Sequence, residues 1–362
     1  MRKSPLFVTV MAALLLLLAL QLILPDRERS DLENRRLAGP PEISLSAMAD
    51  SHWADSFEKY AADQLPLRDS MISASAALKA LSGRRLIGSV ILGGDGRMFD
   101  RAERWNARNV ALNASALQAL SDLVSAPAYL LAVPTAAAVY EDRVPPGAPV
   151  GQDEKFIALA AEHAPVIPLL PELRTQRDGE ALYYRTDHHW TAAGARLGYL
   201  AVCRALNLTP MAQSPLASQP GFLGSCFARC PLPWVQPDLF SYEAVPGLRL
   251  VIDGEEMPAL VDPQGLAQRD AYAALLYGNH GLLELINENV ETGALIVLKD
   301  SYANALLPAL ARHYHRVVAI DPRYFSGNAV ETIQAYEGDA VLCVYGIASL
   351  ATSRALALLE GL

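Results

Sequence analysis

The hydrophobic pattern along the chain changes character several times. Leu6 to Leu24 is an uncharged apolar run, preceded by Arg2 and Lys3 and followed by Asp26, Arg27, Glu28 and Arg29. A spanning helix needs about 20 apolar residues and a secretory h-region only about 7–15. The run ends in Gln21-Leu22-Ile23-Leu24-Pro25 with no small-residue cleavage site. It predicts an uncleaved signal anchor over 1–25, its basic end inside, with a cleaved signal peptide as the alternative. Both place the bulk of the chain outside the cytoplasm, attached to the cell membrane as a single-pass protein in the first case. Residues 26–50 are polar and contain prolines, as a tether would. Helical spacing follows over 51–82 (Trp53, Phe57, Tyr60, then Met71, Ala74, Leu78, Leu81), split by DQLPLRD because Pro66 disfavours helix at Leu65. The tether and these helices make up 26–85.

From 86 to 362 strand-like and helix-like runs alternate. Strands are expected at Tyr129–Val133, Val166–Leu170, Ala181–Arg185, Leu295–Leu298, Val317–Ile320 and Val341–Tyr345. Helices are expected at Lys155–Ala161, Ala192–Leu206 with Thr191 as cap, Tyr302–Tyr314 and Leu350–Leu359. This order predicts an α/β domain with a mostly parallel sheet covered on both faces. Residues at about 208–268 interrupt it. They are rich in Pro and Gly, and LRLVIDGEEMPALVD reads as a hairpin around Asp253-Gly254. The segment is either an insertion near a site or an ordinary surface excursion.

Composition narrows the partners. Charged residues are 19% of 362, too few for a disordered chain of this hydrophobicity. The net charge is −9, and beyond Arg2-Lys3 at the N-terminus basic residues pair only at Arg35-Arg36 and Arg84-Arg85, which argues against nucleic acid. Of the four cysteines, Cys203 and Cys343 lie in apolar patterns and read as small core residues. Cys226 and Cys230 lie in SCFARCPLP, where a disulfide is plausible outside the cytoplasm; a zinc site would need two further ligands, and none is evident nearby.

Chemistry concentrates in two strand–turn–helix segments, ALYYRTDHHWTAAG and ALIVLKDSYAN, and active residues of α/β sheets gather where strands end and helices begin. Ser301 falls at such a turn, with backbone N–H groups and a helix N-terminus beside it. A serine needs a base to act as nucleophile, and an imidazole held by a carboxylate supplies one. Asp187 and His189 are two apart, so in an extended turn they project to the same side. Alone they equally describe a helix-capping turn. His188, adjacent to His189, is expected to point elsewhere. Trp190 reads as core, and Tyr183, Tyr184, Tyr302 and Phe325 as either core or sugar-stacking rings. Asp187-His188-His189 are also metal-ligand types, as in a manganese phosphoesterase family with an Asp-His-His motif. That chemistry needs further acids, and Asp95 and Asp100 do not end apolar strands, so no metal is expected.

TDHHWTAAG, with KDSYAN and DPRYF downstream, resembles the DHHW protein family. LENRRLAGPPEISL, FEKYAADQLPLRD, GGDGRMF, YLLAVPTAAAVY, GFLGS and YGNHGLL fit the resemblance too, so it runs over most of the chain outside the apolar N-terminus. That family is related to the SGNH hydrolase-like proteins of alginate O-acetylation, which carry an Asp-x-His-Trp motif before the serine. The resemblance implies an SGNH-like three-layer α/β/α domain. It implies Ser301 as nucleophile, His189 as base and Asp187 as its orienting acid. Lys299 stands where ordinary SGNH enzymes have glycine. Gly278 and Asn279, in a loop before a stretch read as helical, would serve the oxyanion, unless Gly-Asn is turn chemistry. Arg323 and Tyr324 would bind substrate at the rim, unless Arg323 pairs with a surface carboxylate. His188 would bind substrate or hydrogen-bond within the turn. A lysine that related sequences carry after YLLAVP is absent: Thr135 is followed by three alanines. The activity implied is transfer of an acyl group, acetyl above all, to or from a cell-envelope or exported polysaccharide, without a cofactor. A glycan acceptor and an integral-membrane acyl donor would be the partners. The alternative is a non-catalytic glycan-binding or envelope-assembly protein that keeps the fold; a metal-dependent phosphoesterase ranks below both.

Overall fold

The computed structural model describes residues 5–48 and 50–359. The chain forms two compact units, Met1–Ile87 with Ala228–Val235, and Gly88–Phe227 with Gln236–Leu362.

In the first unit the apolar run forms helix α1, Pro5–Gln21. Its 17 residues span about 25 Å at 1.5 Å per residue, against a hydrocarbon core of about 30 Å. Among the described residues no helix is long and apolar enough to cross a membrane; Arg2 and Lys3 lie outside them. The expected pair of helices is present as α2 (Trp53–Gln64) and α3 (Arg68–Leu81). Leu65, ahead of Pro66, is extended at ψ 126° and Leu67 turns left-handed at φ 61°. The periodicity gave the helices but not their burial: Leu78 and Leu81 are 68% and 75% exposed. The segment read as a tether is pinned instead. Buried Asp63 takes both guanidinium nitrogens of Arg35, at 2.8 and 2.5 Å, and the amide of Ala38. Gln64 bonds the backbone of Arg27 on both sides.

The second unit is built on a seven-stranded sheet. Its strands are β1 (Ala128–Val133), β2 (Leu248–Ile252), β3 (Glu255–Met257), β4 (Leu282–Asn287), β5 (Ala294–Lys299), β6 (Arg316–Ile320) and β7 (Ala340–Gly346). The spatial order is β3-β2-β4-β6-β5-β7-β1. β6, β5, β7 and β1 run parallel, while β3, β2 and β4 add antiparallel strands at the β6 edge. The sheet is therefore mixed rather than mostly parallel. Part of the difference is β4, read as helical from sequence. LLELIN alternates between partly buried and buried positions, which is the period of a strand. The rest comes from the region at 208–268. It supplies β2 and β3, joined as expected through Asp253 (φ 49°) and Gly254 (φ 88°), both left-handed as a tight hairpin turn requires.

Strand alternation sorts the core into two layers. Leu131, Val133, Leu295, Val297, Val317, Ala319, Leu342 and Val344 face one side, against Leu197, Tyr199, Ala201 and Val202 of helix Ala192–Ala205. Leu130, Ala132, Ile296, Leu298, Val318, Ile320, Val341 and Cys343 face the other, against helices Ala107–Val124 and Asp153–Ala161. This is the expected three-layer α/β/α arrangement. Several expected elements are shorter. Val166 makes a single bridge to Leu130, and a helix starts at Leu170. Tyr183 makes only one bridge, to Trp190, so Ala181–Arg185 is irregular. The helix expected at Tyr302–Tyr314 is a 3₁₀ turn, Ser301–Ala305, and a short helix, Leu307–Leu310, because Pro308 has no N–H to continue one ladder. The closing helix is Ile347–Thr352; Asn113 takes the carbonyls of Leu350 and Ser353 and ends it there.

Candidate active site

Ser301 begins the turn at the carboxyl end of β5, a central strand. Asp300 is the cap of that turn: its Oδ1 accepts from Tyr302 N at 3.0 Å and its Oδ2 from Gly346 N at 2.9 Å, which ties the turn to the end of β7. The Asp187–His189 segment stands just before Ala192–Ala205, whose cap is Thr191, accepting from Gly194 N. Thr186 anchors it. Its N and Oγ1 both donate to Asp238 Oδ2, at 2.9 and 2.7 Å.

These two turns bring three side chains into line. His189 Nε2 and Ser301 Oγ are 2.8 Å apart. His189 Nδ1 and Asp187 Oδ1 are 2.5 Å apart. Asp187 Oδ1 also accepts from His189 N, and its Oδ2 accepts from Ser225 N at 2.7 Å. Gly224 makes that approach possible, since a Cβ there would sit 2.3 Å from Asp187 Cβ. Tyr272 lies flat under the imidazole, centroids 3.7 Å apart at 9°, and its hydroxyl donates to Ser301 O at 3.1 Å. Tyr272 and Asp238 carry no signal in the sequence that separates them from other polar and aromatic residues. Trp190 is fully buried and donates Nε1–H to Tyr302 O.

The electrostatics suit a neutral base beside a charged acid. Burial pushes the Asp187 carboxyl up, but His189, His188 and its hydrogen bonds outweigh this and hold it well below the usual range. Burial, helped by His188, holds the His189 imidazole below 6.5 against the opposing pull of Asp187. Burial pushes the Lys299 ammonium down to about 8, with Asp321 and Asp300 opposing.

The remaining candidates fall in different places. His188 does not point away from His189: the rings are 3.9 Å apart, because the turn is not an extended strand. Its Nδ1 is 2.7 Å from Ser225 Oγ, and its carbonyl accepts from Tyr302 OH. Gly278 O accepts from Asn304 Nδ2, and Asn279 Oδ1 from Lys299 Nζ at 3.4 Å. Arg323 forms a two-pronged pair with fully buried Asp321, at 2.8 and 2.5 Å, and sits over the Tyr324 ring, which is 57% exposed. The carboxylate partner of Arg323 is thus a core one. Thr135 caps the short helix after β1 and donates to Asp153. Tyr183, Tyr184 and Tyr302 are buried, as core rings are. All four cysteines are free and buried, so the expected Cys226–Cys230 disulfide is not formed; Cys226 Sγ instead faces Asp100 Oδ1 at 3.5 Å.

Asp187, His188 and His189 do offer ligand atoms within 4.8 Å of one another. Three of those positions are spent: His189 Nδ1 on Asp187, Nε2 on Ser301, and Asp187 Oδ2 on Ser225. Asp95 pairs with Arg143 and Asp100 faces Cys226. The donor set fits a hydrogen-bonded relay better than a cation.

The α/β/α fold is SGNH-like, and it carries an acid–histidine pair ahead of a strand-end serine. The comparisons agree. The family model described as SGNH hydrolase-like domain, acetyltransferase AlgX, matches residues 90–220, and the model described as DHHW protein matches 168–320. Over those residues the chain is similar to the AlgX-type SGNH hydrolase-like domain and to the DHHW proteins. A DHHW family protein from Eubacterium siraeum superposes with a TM-score of 0.64 at 22% identity, over 74% of this chain and 93% of that one. PatB1 from Bacillus cereus, solved with a sulfonyl adduct, superposes with a TM-score of 0.61 at 16% identity, over 75% and 99%. Among curated proteins none matches in sequence.

Proposed function

We propose that this protein is a serine acyltransferase or esterase that moves an acyl group, acetyl by preference, onto or off a cell-envelope or exported polysaccharide. The observation that carries the reading is the unbroken line Asp187–His189–Ser301, at 2.5 and 2.8 Å. Ser301 Oγ attacks the acyl carbonyl carbon while His189 Nε2 takes the hydroxyl proton. Asp187 stabilises the imidazolium and fixes the tautomer with Nδ1 protonated. The carbonyl oxygen becomes negative and is met by the Asn279 amide. As the tetrahedral species collapses, Nε2 returns its proton to the departing oxygen and an acyl-Ser301 ester remains. A glycan hydroxyl or water then attacks that ester with His189 again as base, and the acyl–Oγ bond breaks as Nε2 returns the proton to Ser301 Oγ. The AlgX-type family match, described as an acetyltransferase, supports acetyl as the group; the glycan acceptor rests on the resemblance to the alginate O-acetylation proteins. The apolar helix α1, exposed along most of its length, supports attachment to a membrane; an outward-facing domain served by an integral-membrane acyl donor rests on the resemblance to the alginate O-acetylation proteins.

The test is to incubate the protein with an activated acetyl ester and map the acetyl mass increment by peptide sequencing. The expected adduct is on Ser301. Glycan binding with no adduct at Ser301 would instead make the chain a binding module. The pH profile gives a second check. The base must be neutral, and burial holds His189 below 6.5. The acid limb of acylation kcat/KM should therefore be centred below pH 6.5, where His189 gains a proton. An acid limb centred above pH 6.5 would contradict this.

A further inference from the structure

Lys299 stands immediately before Asp300-Ser301 and is fully buried. A buried ammonium is costly unless it is held by hydrogen bonds and opposite charge. Its Nζ donates to Asn304 Oδ1 at 2.7 Å and to Asn279 Oδ1 at 3.4 Å. Asn304 in turn donates its amide to Gly278 O at 3.1 Å. The backbone so held is unusual: Leu276, Tyr277 and Gly278 are consecutive left-handed residues, at φ 51°, 59° and 96°. Two of the three carry side chains, and such backbone persists where its surroundings over-determine it. His280 Nε2, 2.8 Å from Tyr277 O, adds a local tie.

The ammonium also sets direction. Lysine has donors and no acceptor, so both asparagines must turn their carbonyl oxygens toward it and their NH₂ groups away. A glycine before Asp-Ser could not do this. We propose that Lys299, with Asn304, is a positioning residue for acyl transfer: it clamps the left-handed segment 276–278 and presents the Asn279 amide, nitrogen outward, to the developing oxyanion. The proposal rests on the serine acyl-transfer reading given above.

The test uses the full chain with Lys299→Met, Asn279→Ala and the double substitution. Methionine fills the volume without the charge, and replacing a buried ion by an apolar residue is often tolerated. Lys299→Met should lower the acylation kcat by about 10²-fold, the scale of one lost oxyanion donor, and leave KM within about twofold. The double variant should be no slower than Asn279→Ala alone. Asn304→Ala, which removes the same clamp from its other end, should reproduce the kcat loss and serves if Lys299→Met does not fold. Backbone amides of 276–280 should exchange hydrogen faster in either clamp variant. An unchanged kcat, or losses that multiply in the double variant, would overturn the proposal. Exchange separates the two ideas. If wild type forms no Ser301 adduct yet the clamp variants exchange faster, the clamp stands and the acyl-transfer reading fails. Unchanged exchange overturns the clamp whatever the adduct shows.

Discussion

Ser301→Ala should lower acyl transfer by about 10⁶-fold, and Asp187→Asn by about 10⁴-fold, with the acetyl-ester Kd little changed in both. The first removes the atom that attacks. The second acts through the tautomer. Asp187 Oδ1 accepts from both the backbone N and Nδ1 of His189, and its Oδ2 from Ser225 N. An asparagine keeping its oxygen toward His189 N would face its NH₂ toward Ser225 N, donor against donor. One keeping its oxygen toward Ser225 would offer NH₂ to Nδ1 and drive the ring proton to Nε2. Nε2 could then no longer accept the Ser301 proton. Single-turnover acylation separates the variants, and combining them should cost no more than Ser301→Ala alone, because the residues act as one unit. Near-wild-type acylation by Asp187→Asn would show that Asp187 is only a structural cap of the 187–189 turn, which is what its spacing alone suggested.

That ambiguity shows what the sequence carries. Half of each strand–turn–helix segment was legible: β5 is a continuous apolar run and Ala192–Ala205 has a clear helical face with a threonine cap, whereas Ala181–Arg185 forms no strand and the turn after β5 is 3₁₀. The pairing of Asp187 and His189 with Ser301 could be argued from the Asp-x-His-Trp resemblance. The conformation of the turn could not. Read as extended, it put His188 and His189 on opposite sides; folded against Asp238 and Gly224, it brings the rings together. Those partners are fifty-one and thirty-seven residues beyond Asp187, and nothing local announces them. β4 was lost for a related reason: LLELIN is compatible with either period until β2 and β6 are placed beside it. Lys299 was visible as a departure from glycine, but its meaning depended on the distant loop at 276–279.

The largest loss of stability is expected from Trp190→Ala. The indole is fully buried beside the site, edge-on to Tyr302 at 5.6 Å, with its N–H on Tyr302 O at 3.0 Å. Helix Ala192–Ala205 reaches it through glycines. A Cβ on Gly198 would lie 3.0 Å from the indole ring, and one on Gly194 would lie 2.3 Å from Leu182 O. The helix backbone is therefore already as near as it can come and cannot close over the space an alanine would leave. Truncating a buried tryptophan costs about 3–5 kcal/mol when the site does not collapse. Denaturant unfolding followed by the second unit's transition should show a lower midpoint at unchanged m-value. Trp190→Phe should recover most of that loss. It should leave a deficit of about 1 kcal/mol for the missing hydrogen bond, softened because Tyr272 OH also lies 3.4 Å from Tyr302 O. Because Tyr302 follows Ser301 directly, Trp190→Ala should also loosen the serine turn and slow acylation under conditions where the variant is fully folded. A loss below about 1 kcal/mol would mean that the helix does settle into the gap, against what Gly194 and Gly198 imply.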